Sequence, residues 1–138
     1  LEMILKNMPP EMYNSDDPSE RKVGVITFYS SQATALKEKL DMKFDEEQKK
    51  HVEIGTVDAF QGKEYAYVIL SCVRSNDEDE EEKSVGFLVK PNRLCVAFSR
   101  AKRQLITCGD SETLSKVSYF RDLIHFCKTE EEAQYIEC

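Results

Sequence analysis

The sequence predicts an α/β fold, a mostly parallel sheet with helices on both faces. Short β-rich runs alternate with stretches of helical periodicity. The strongest runs are apolar almost throughout, as in strands buried on both sides, rather than alternating in and out. Ligands of such sheets gather beyond the carboxyl ends of the strands. Three polar segments, 29–32, 56–64 and 74–76, fall just past predicted strand ends.

Residues 1–21 read as a short apolar segment (Leu1, Met3, Ile4, Leu5, Met8) and a polar, proline-containing linker. Lys22 leads into Val23-Gly24-Val25-Ile26-Thr27-Phe28, the first strand. A helix over about 31–44 follows, with Ala33, Leu36 and Leu40 at helical spacing and Ser30 or Ser31 as its cap. Residues 52–56 predict a shorter second strand, and 66–73 (Ala66-Tyr67-Val68-Ile69-Leu70-Ser71-Cys72-Val73) the central one. The uninterrupted acidic block from Asp77 to Glu82 reads as a solvated loop, because it lacks the glycine turn and alternating spacing of a cation site. Pro91 sits where a first helical turn tolerates proline, so 91–103 predicts a helix. Residues 104–109 predict the fourth strand. The tail 117–127 is amphipathic, with Val117, Phe120, Leu123, Ile124 and Cys127 on one side and His125 assigned a structural place there.

At 138 residues the chain has the length of one domain. Its net charge of −7 argues against gripping nucleic acid by bulk electrostatics, which needs a basic surface. A contact made by a few side chains and backbone N–H groups stays open. No apolar run approaches the ~20 residues of a membrane span, and the first residues carry neither the basic start nor the small-residue cleavage site of a secretory leader. The cysteines 72, 95, 108, 127 and 138 form no C-x-x-C pair, and His51 and His125 lie in no ligand spacing, so no metal site is predicted. An odd, unpatterned set of thiols suits a reducing compartment, cytoplasm or nucleus. Cys72, Cys95 and Cys108 sit in apolar stretches, as small hydrophobes do.

Two constellations carry chemistry. On a helix over 91–103, Leu94, Ala97, Phe98 and Ala101 form an apolar stripe, and Arg93 and Arg100, seven positions apart, project within about 20° of each other at its edge. Such guanidiniums can take a phosphate or carboxylate bidentately, or close structural salt bridges. The second is Thr56-Val57-Asp58-Ala59-Phe60-Gln61-Gly62-Lys63-Glu64. Asp58 and Gln61 fit a reciprocal capping box, and Gly62 ends the turn. A tight connection accounts for those three, but not for Thr56, Lys63 and Glu64 gathered at a strand's carboxyl end. Free N–H groups and a hydroxyl there would seat a phosphodiester, and the acceptor-only Glu64 suits a pair of ribose hydroxyls. No glycine-rich phosphate cradle and no nucleophile–histidine set accompanies them.

Four segments in order resemble a known family: Val23-Gly24-Val25-Ile26-Thr27-Phe28-Tyr29-Ser30-Ser31-Gln32; Val57 to Glu64 with Val68 to Asn76; Gly86-Phe87-Leu88; and Asn92-Arg93-Leu94-Cys95-Val96-Ala97-Phe98-Ser99-Arg100-Ala101-Lys102. They are similar to motifs IV, V and VI in the second RecA-like domain of superfamily-one helicases of the Upf/Sen type. The resemblance covers about 22–128 and implies a RecA-like, P-loop-NTPase-type three-layer fold, with 1–21 as lead-in, 77–84 as an acidic insertion and 129–138 as a tail. Phe28 stands where the family usually has proline, and Cys95 where it usually has asparagine.

The resemblance implies an ATP-dependent helicase moving 5′-to-3′ along single-stranded RNA or DNA, with ATP and Mg2+ between two RecA-like domains. The first domain would supply the Walker motifs and most of the metal's ligands. Arg100 matches the arginine finger, Glu64 the ribose contact with Gly62 and Lys63 beside it, and Arg93 the first arginine of motif VI, also placed with the nucleotide. Thr27, Tyr29, Thr56, Val57, Asp58 and Gln61 fall on the nucleic-acid-contacting motifs. The chain would then be a monomeric fragment, inactive alone, whose partners are the first RecA-like domain and a single strand, with no membrane. The alternative is a degenerate RecA-like interaction module without catalysis.

Overall fold

The computed structural model describes residues 22–72 and 91–136; the expectations for 1–21, for the acidic block and for 74–76 lie outside the described residues. The chain divides into two compact units, one reaching to Cys108 and a second that takes over from Gly109.

The first unit is built on β1 (Val23–Thr27), α1 (Ser30–Lys43), α2 (Glu46–Lys49), β2 (Val52–Thr56), a 3₁₀ turn (Val57–Phe60), β3 (Tyr65–Ser71), α3 (Pro91–Phe98) and β4 (Ala101–Cys108). The four strands form one sheet in the order β2-β1-β3-β4, every neighbouring pair parallel. Every residue of β1 is buried, which is why its sequence does not alternate. The long apolar strand β3 lies between β1 and β4, the interior position expected of it.

α1 covers one face. Ala33, with Leu36 and Leu40 one and two turns on, packs against Val25, Ile54 and Ile69. Tyr29, not a serine, occupies its N-cap, and no side chain caps it there. Phe44 turns extended and closes the helix by donating to the Leu40 carbonyl at 3.0 Å. A reciprocal capping box does exist, but it opens α2: Asp45 Oδ1 accepts from the Gln48 N–H at 2.8 Å, and Gln48 Oε1 accepts from the Asp45 N–H at 3.3 Å.

On the other face the chain takes an unusually short route. From the carboxyl end of β2 it must pass β1 and enter β3 at its amino end, and residues 57–64 suffice. Parallel crossovers ordinarily need a dozen or more residues, so this one runs close against the sheet. Phe60, fully buried, lies over Gly24 and Gly55: a Cβ on Gly24 would fall 2.8 Å from its ring, one on Gly55 3.1 Å. Glycines at these two positions make the passage. Gly62, at φ +78°, then turns the chain into β3 through backbone angles that favour glycine.

α3 is shorter than its periodicity predicts, ending at Phe98. Ser99 donates its N–H (3.1 Å) and its hydroxyl (2.7 Å) to the Cys95 carbonyl, and Arg100 Nε donates to that of Val96 at 2.9 Å, so two of the last four carbonyls are satisfied. Residues 101–108 join the sheet instead, with Ala101 opposite Tyr65 and a one-residue slip before Gln104 pairs with Tyr67. Pairing with a strand more than thirty positions upstream overrides local helix preference. Cys72 is buried as expected, but Cys95 and Cys108 are exposed.

In the second unit, α4 (Ser111–Leu114) is capped by Asp110, whose carboxylate accepts from the Glu112 N–H at 3.1 Å and from the Thr113 hydroxyl at 2.7 Å. α5 (Ser118–Thr129) buries Phe120, with Val117 buried at its N-cap. His125 is exposed, not on the buried side. No helix among the described residues is long and apolar enough to cross a membrane.

Candidate functional site

The crossover separates the candidate residues into two groups at opposite edges of the sheet. At the carboxyl edge, Thr27 and Thr56 end adjacent strands and are register partners. Tyr29, Val57 and Asp58 follow them directly. Thr27 and Val57 are buried side chains, so only their main chain is available to a ligand. The Thr27 hydroxyl donates to Gln32 Oε1, and Gln32 Nε2 donates to the Ser71 hydroxyl at 2.7 Å, so Gln32 ties the ends of β1 and β3 to the start of α1. Gln32 ends the first of the segments quoted for the resemblance, but its role as this tie depends on Ser71, 39 residues away, and is invisible without the fold.

Asp58 does not cap its own turn. The N–H of Gln61 donates to the Asp58 main-chain carbonyl at 3.3 Å, while the Asp58 carboxylate takes both Arg93 Nη2 and, at 3.3 Å, Arg93 Nε. This bidentate pair joins the 3₁₀ turn to α3, which packs against it. Arg93 is therefore bound to the 3₁₀ turn through Asp58. The 20° projection expected for the two arginines does not apply, because Arg100 lies beyond the end of the helix.

The second group sits at the amino edge, contrary to the carboxyl-edge placement expected for it. Lys63 and Glu64 precede Tyr65, the first residue of β3, and Arg100 precedes Ala101, the first of β4. Gln61 and Gly62 lie in the turn between the two groups, both exposed. The half-buried Arg100 makes three hydrogen bonds: to the Val96 carbonyl (2.9 Å), the Lys63 carbonyl (3.0 Å) and the Ser99 hydroxyl (2.8 Å). All three acceptors are neutral, so its charge is oriented without being cancelled. Glu64 is exposed beside it.

The residue that sequence reasoning missed is Glu53 on β2. Its carboxylate accepts from Lys63 Nζ (2.6 Å) and from the Tyr65 hydroxyl (2.6 Å), with Lys22 Nζ at 3.8 Å. Burial alone would raise its pKa, but the hydrogen bonds from Lys63 and Tyr65 and the charges of Lys63 and Lys22 outweigh burial and hold it below the usual carboxylate value. Burial and the Glu53 carboxylate together push the Tyr65 phenol well above its ordinary value. The only available signal was a glutamate inside an apolar strand.

This edge presents one oriented cation and one exposed carboxylate; a guanidinium can take an anionic oxygen and a carboxylate can accept from hydroxyls. Among the described residues no group of three or more His, Cys, Asp or Glu side chains could hold a metal ion.

A four-stranded, all-parallel sheet with flanking helices is an α/β fold consistent with a RecA-like domain. A family profile described as an AAA domain matches residues 2–112. Human probable helicase senataxin is 41% identical over 108 residues, 78% of this chain and 4% of that protein. Regulator of nonsense transcripts 1 of Dictyostelium discoideum is 42% identical over 108 residues, 76% of this chain and 8% of its own length. ATP-dependent helicase NAM7 of Saccharomyces cerevisiae is 39% identical over 114 residues, 80% of this chain and 11% of its own. The chain belongs to this AAA-domain family, the C-terminal helicase part of superfamily-one helicases of the Upf1/senataxin type. It spans only a small part of the length of these curated relatives.

Proposed function

We propose that this chain is the second RecA-like half of an ATP-dependent helicase acting on single-stranded RNA or DNA. Residues 22–128 form that domain. Its ATP site is shared with a first RecA-like domain that supplies the phosphate cradle and holds Mg2+, whose role is to neutralise charge on the phosphates. The observation that carries the reading is Arg100: a guanidinium at the amino edge of β4, held by three neutral oxygens and backed by the exposed Glu64. Such a cation needs only a short shift to trade the Lys63 carbonyl for a phosphoryl oxygen. There it would stabilise charge developing in the transition state.

Glu64 orients the nucleotide through its ribose. The carboxyl-edge residues Thr27, Tyr29, Thr56, Val57 and Asp58 follow the strand's sugar-phosphate backbone, with main-chain groups serving where side chains are buried. Gln61 and Gly62 lie in the turn joining these two edges, so motion at one reaches the other through a segment pressed against the sheet. Arg93 pairs with Asp58 of that segment and serves as a structural member of the site.

The test uses the full-length protein containing this chain. Arg100→Ala should lower ATPase turnover stimulated by single strands about 10³-fold or more, with binding of a fluorescent ATP analogue largely retained. Stimulated turnover left intact would remove the finger assignment. No stimulated ATPase in the unaltered full-length protein would favour a non-catalytic interaction module.

A further inference from the structure

We propose that Glu53 is a positioning residue that couples the arginine finger to the ribose contact; this rests on the reading of Arg100 and Glu64 given above. The geometry centres on the tripeptide Lys63-Glu64-Tyr65. Glu53 grips both of its ends by side chain, Lys63 Nζ on Oε1 and the Tyr65 hydroxyl on Oε2, each at 2.6 Å. Both ends also meet Arg100 by main chain: the Lys63 carbonyl accepts from Arg100 Nη1 at 3.0 Å, and the Tyr65 N–H donates to the Arg100 carbonyl at 2.9 Å. Glu64, between them, points no hydrogen bond at the tether and is exposed. One carboxylate thus sets the position of both nucleotide-facing groups.

Three features make Glu53 suited to this. It stands opposite Gly24 in the β1–β2 register, and the missing side chain there leaves room for the Tyr65 ring to lie across and reach it. Both of its oxygens are engaged, so the carboxylate cannot rotate without breaking a bond. Gly62, immediately before the tripeptide, is the conformationally permissive residue of the segment, so the tether opposes the freedom that Gly62 introduces. Lys63 Nζ also lies over the Phe60 ring, 5.9 Å from its centre, a cation–π contact with the crossover. Lys63 therefore acts through Glu53 and through its own carbonyl, and its ammonium is committed to the tether.

The experiment compares the full-length protein with Glu53→Gln and Lys63→Met, a second variant whose altered side chain is about half exposed and cuts the same tether. Misplacement of a catalytic group by about 1 Å costs up to 10²-fold, so each variant should lower stimulated kcat about 10- to 100-fold. The preference for ATP over 2′-deoxy-ATP should shrink in both, because Glu64 drifts with Arg100. Combining the two should cost no more than either alone, and the exchange Glu53→Lys with Lys63→Glu should restore a large part of kcat. Unchanged kcat and unchanged sugar preference in a folded Lys63→Met or Glu53→Gln protein overturns the coupling while leaving the finger assignment standing. If kcat falls with the sugar preference unmoved and the charge exchange gives no rescue, the role is structural and the proposal fails. Should Arg100→Ala itself be silent, the underlying reading fails first.

Discussion

The ring of Phe60 lies so close over Gly24 that a Cβ on the glycine would stand 2.8 Å from its Cε1. Phe60 is fully buried and also tilts against Tyr65, with ring centres 5.1 Å apart, so it has little room to yield. The whole eight-residue passage from β2 to β3 depends on this contact.

Gly24→Ala should therefore destabilise the domain by about 1–3 kcal/mol, the usual cost of an added methyl in a packed core. Gly55→Ala, with 3.1 Å to the same ring and 3.3 Å to the Ala59 Cβ, should cost less. In a Phe60→Leu background the Gly24→Ala penalty should largely vanish, since the two sites share one contact. Urea denaturation of the four proteins measures this. Equal midpoints for Gly24→Ala and its parent would mean the crossover does not press on the sheet.

Gly62 makes a contrasting case. Nothing lies within 4 Å of a Cβ there, yet φ is +78°. Gly62→Ala should cost about 1–2 kcal/mol from backbone strain alone, and Gly62→Asn, which tolerates that region better, should cost less. Steric relief at Phe60 should change neither value.

Acid should loosen the tether at Glu53. Its folded pKa lies below the ordinary 4.5, so the unfolded chain binds the proton more readily. The stability this provides is complete above pH 4.5 and is lost as pH falls through the folded value. Tyr65 behaves oppositely: its pKa is raised above the ordinary 10.0, so its contribution is complete below pH 10 and is lost as pH rises beyond it. Denaturation midpoints against pH should fall at both ends, and Glu53→Gln should flatten the acid limb.

The thiols should sort by burial. Cys72 is buried, and burial together with neighbouring Cys108 pushes its pKa up to about 12. Little thiolate then exists near neutral pH, and the thiolate is the reactive form. Cys95 and Cys108, both exposed, should label with a thiol reagent under native conditions, while Cys72 labels only on unfolding. Mass mapping of the labelled peptides decides it.

Arg93 and Asp58 should couple weakly. The arginine side chain is 24% exposed and the aspartate 68%, so solvent screens the pair. A double-mutant cycle should return about 0.2–1 kcal/mol. A larger value would mean the pair holds α3 on the turn more firmly than exposed charges do.

Much of this architecture was legible in the residues themselves. Val23–Thr27 and the central position of β3 follow from β-branched, nearly unbroken apolar runs, because a strand covered on both faces has no polar side to show, and the shorter Val52–Thr56 from its β-branched residues. The family resemblance singled out Arg100, Glu64 and the other candidate residues by their order along the chain. Tertiary structure alone decided which of them meet. Local periodicity carried α3 on to residue 103, but pairing with Tyr65 pulled Ala101 into a strand and left Arg100 at its edge. The capping pattern at Asp58 and Gln61 looked complete in one dimension, yet Arg93, 35 residues away, claims the carboxylate. Glu53 gave no hint of its tether, because its partners reach it only after the chain crosses over two glycines. Periodicity and capping report on neighbours within a few residues, whereas register and crossover are settled by contacts between distant segments.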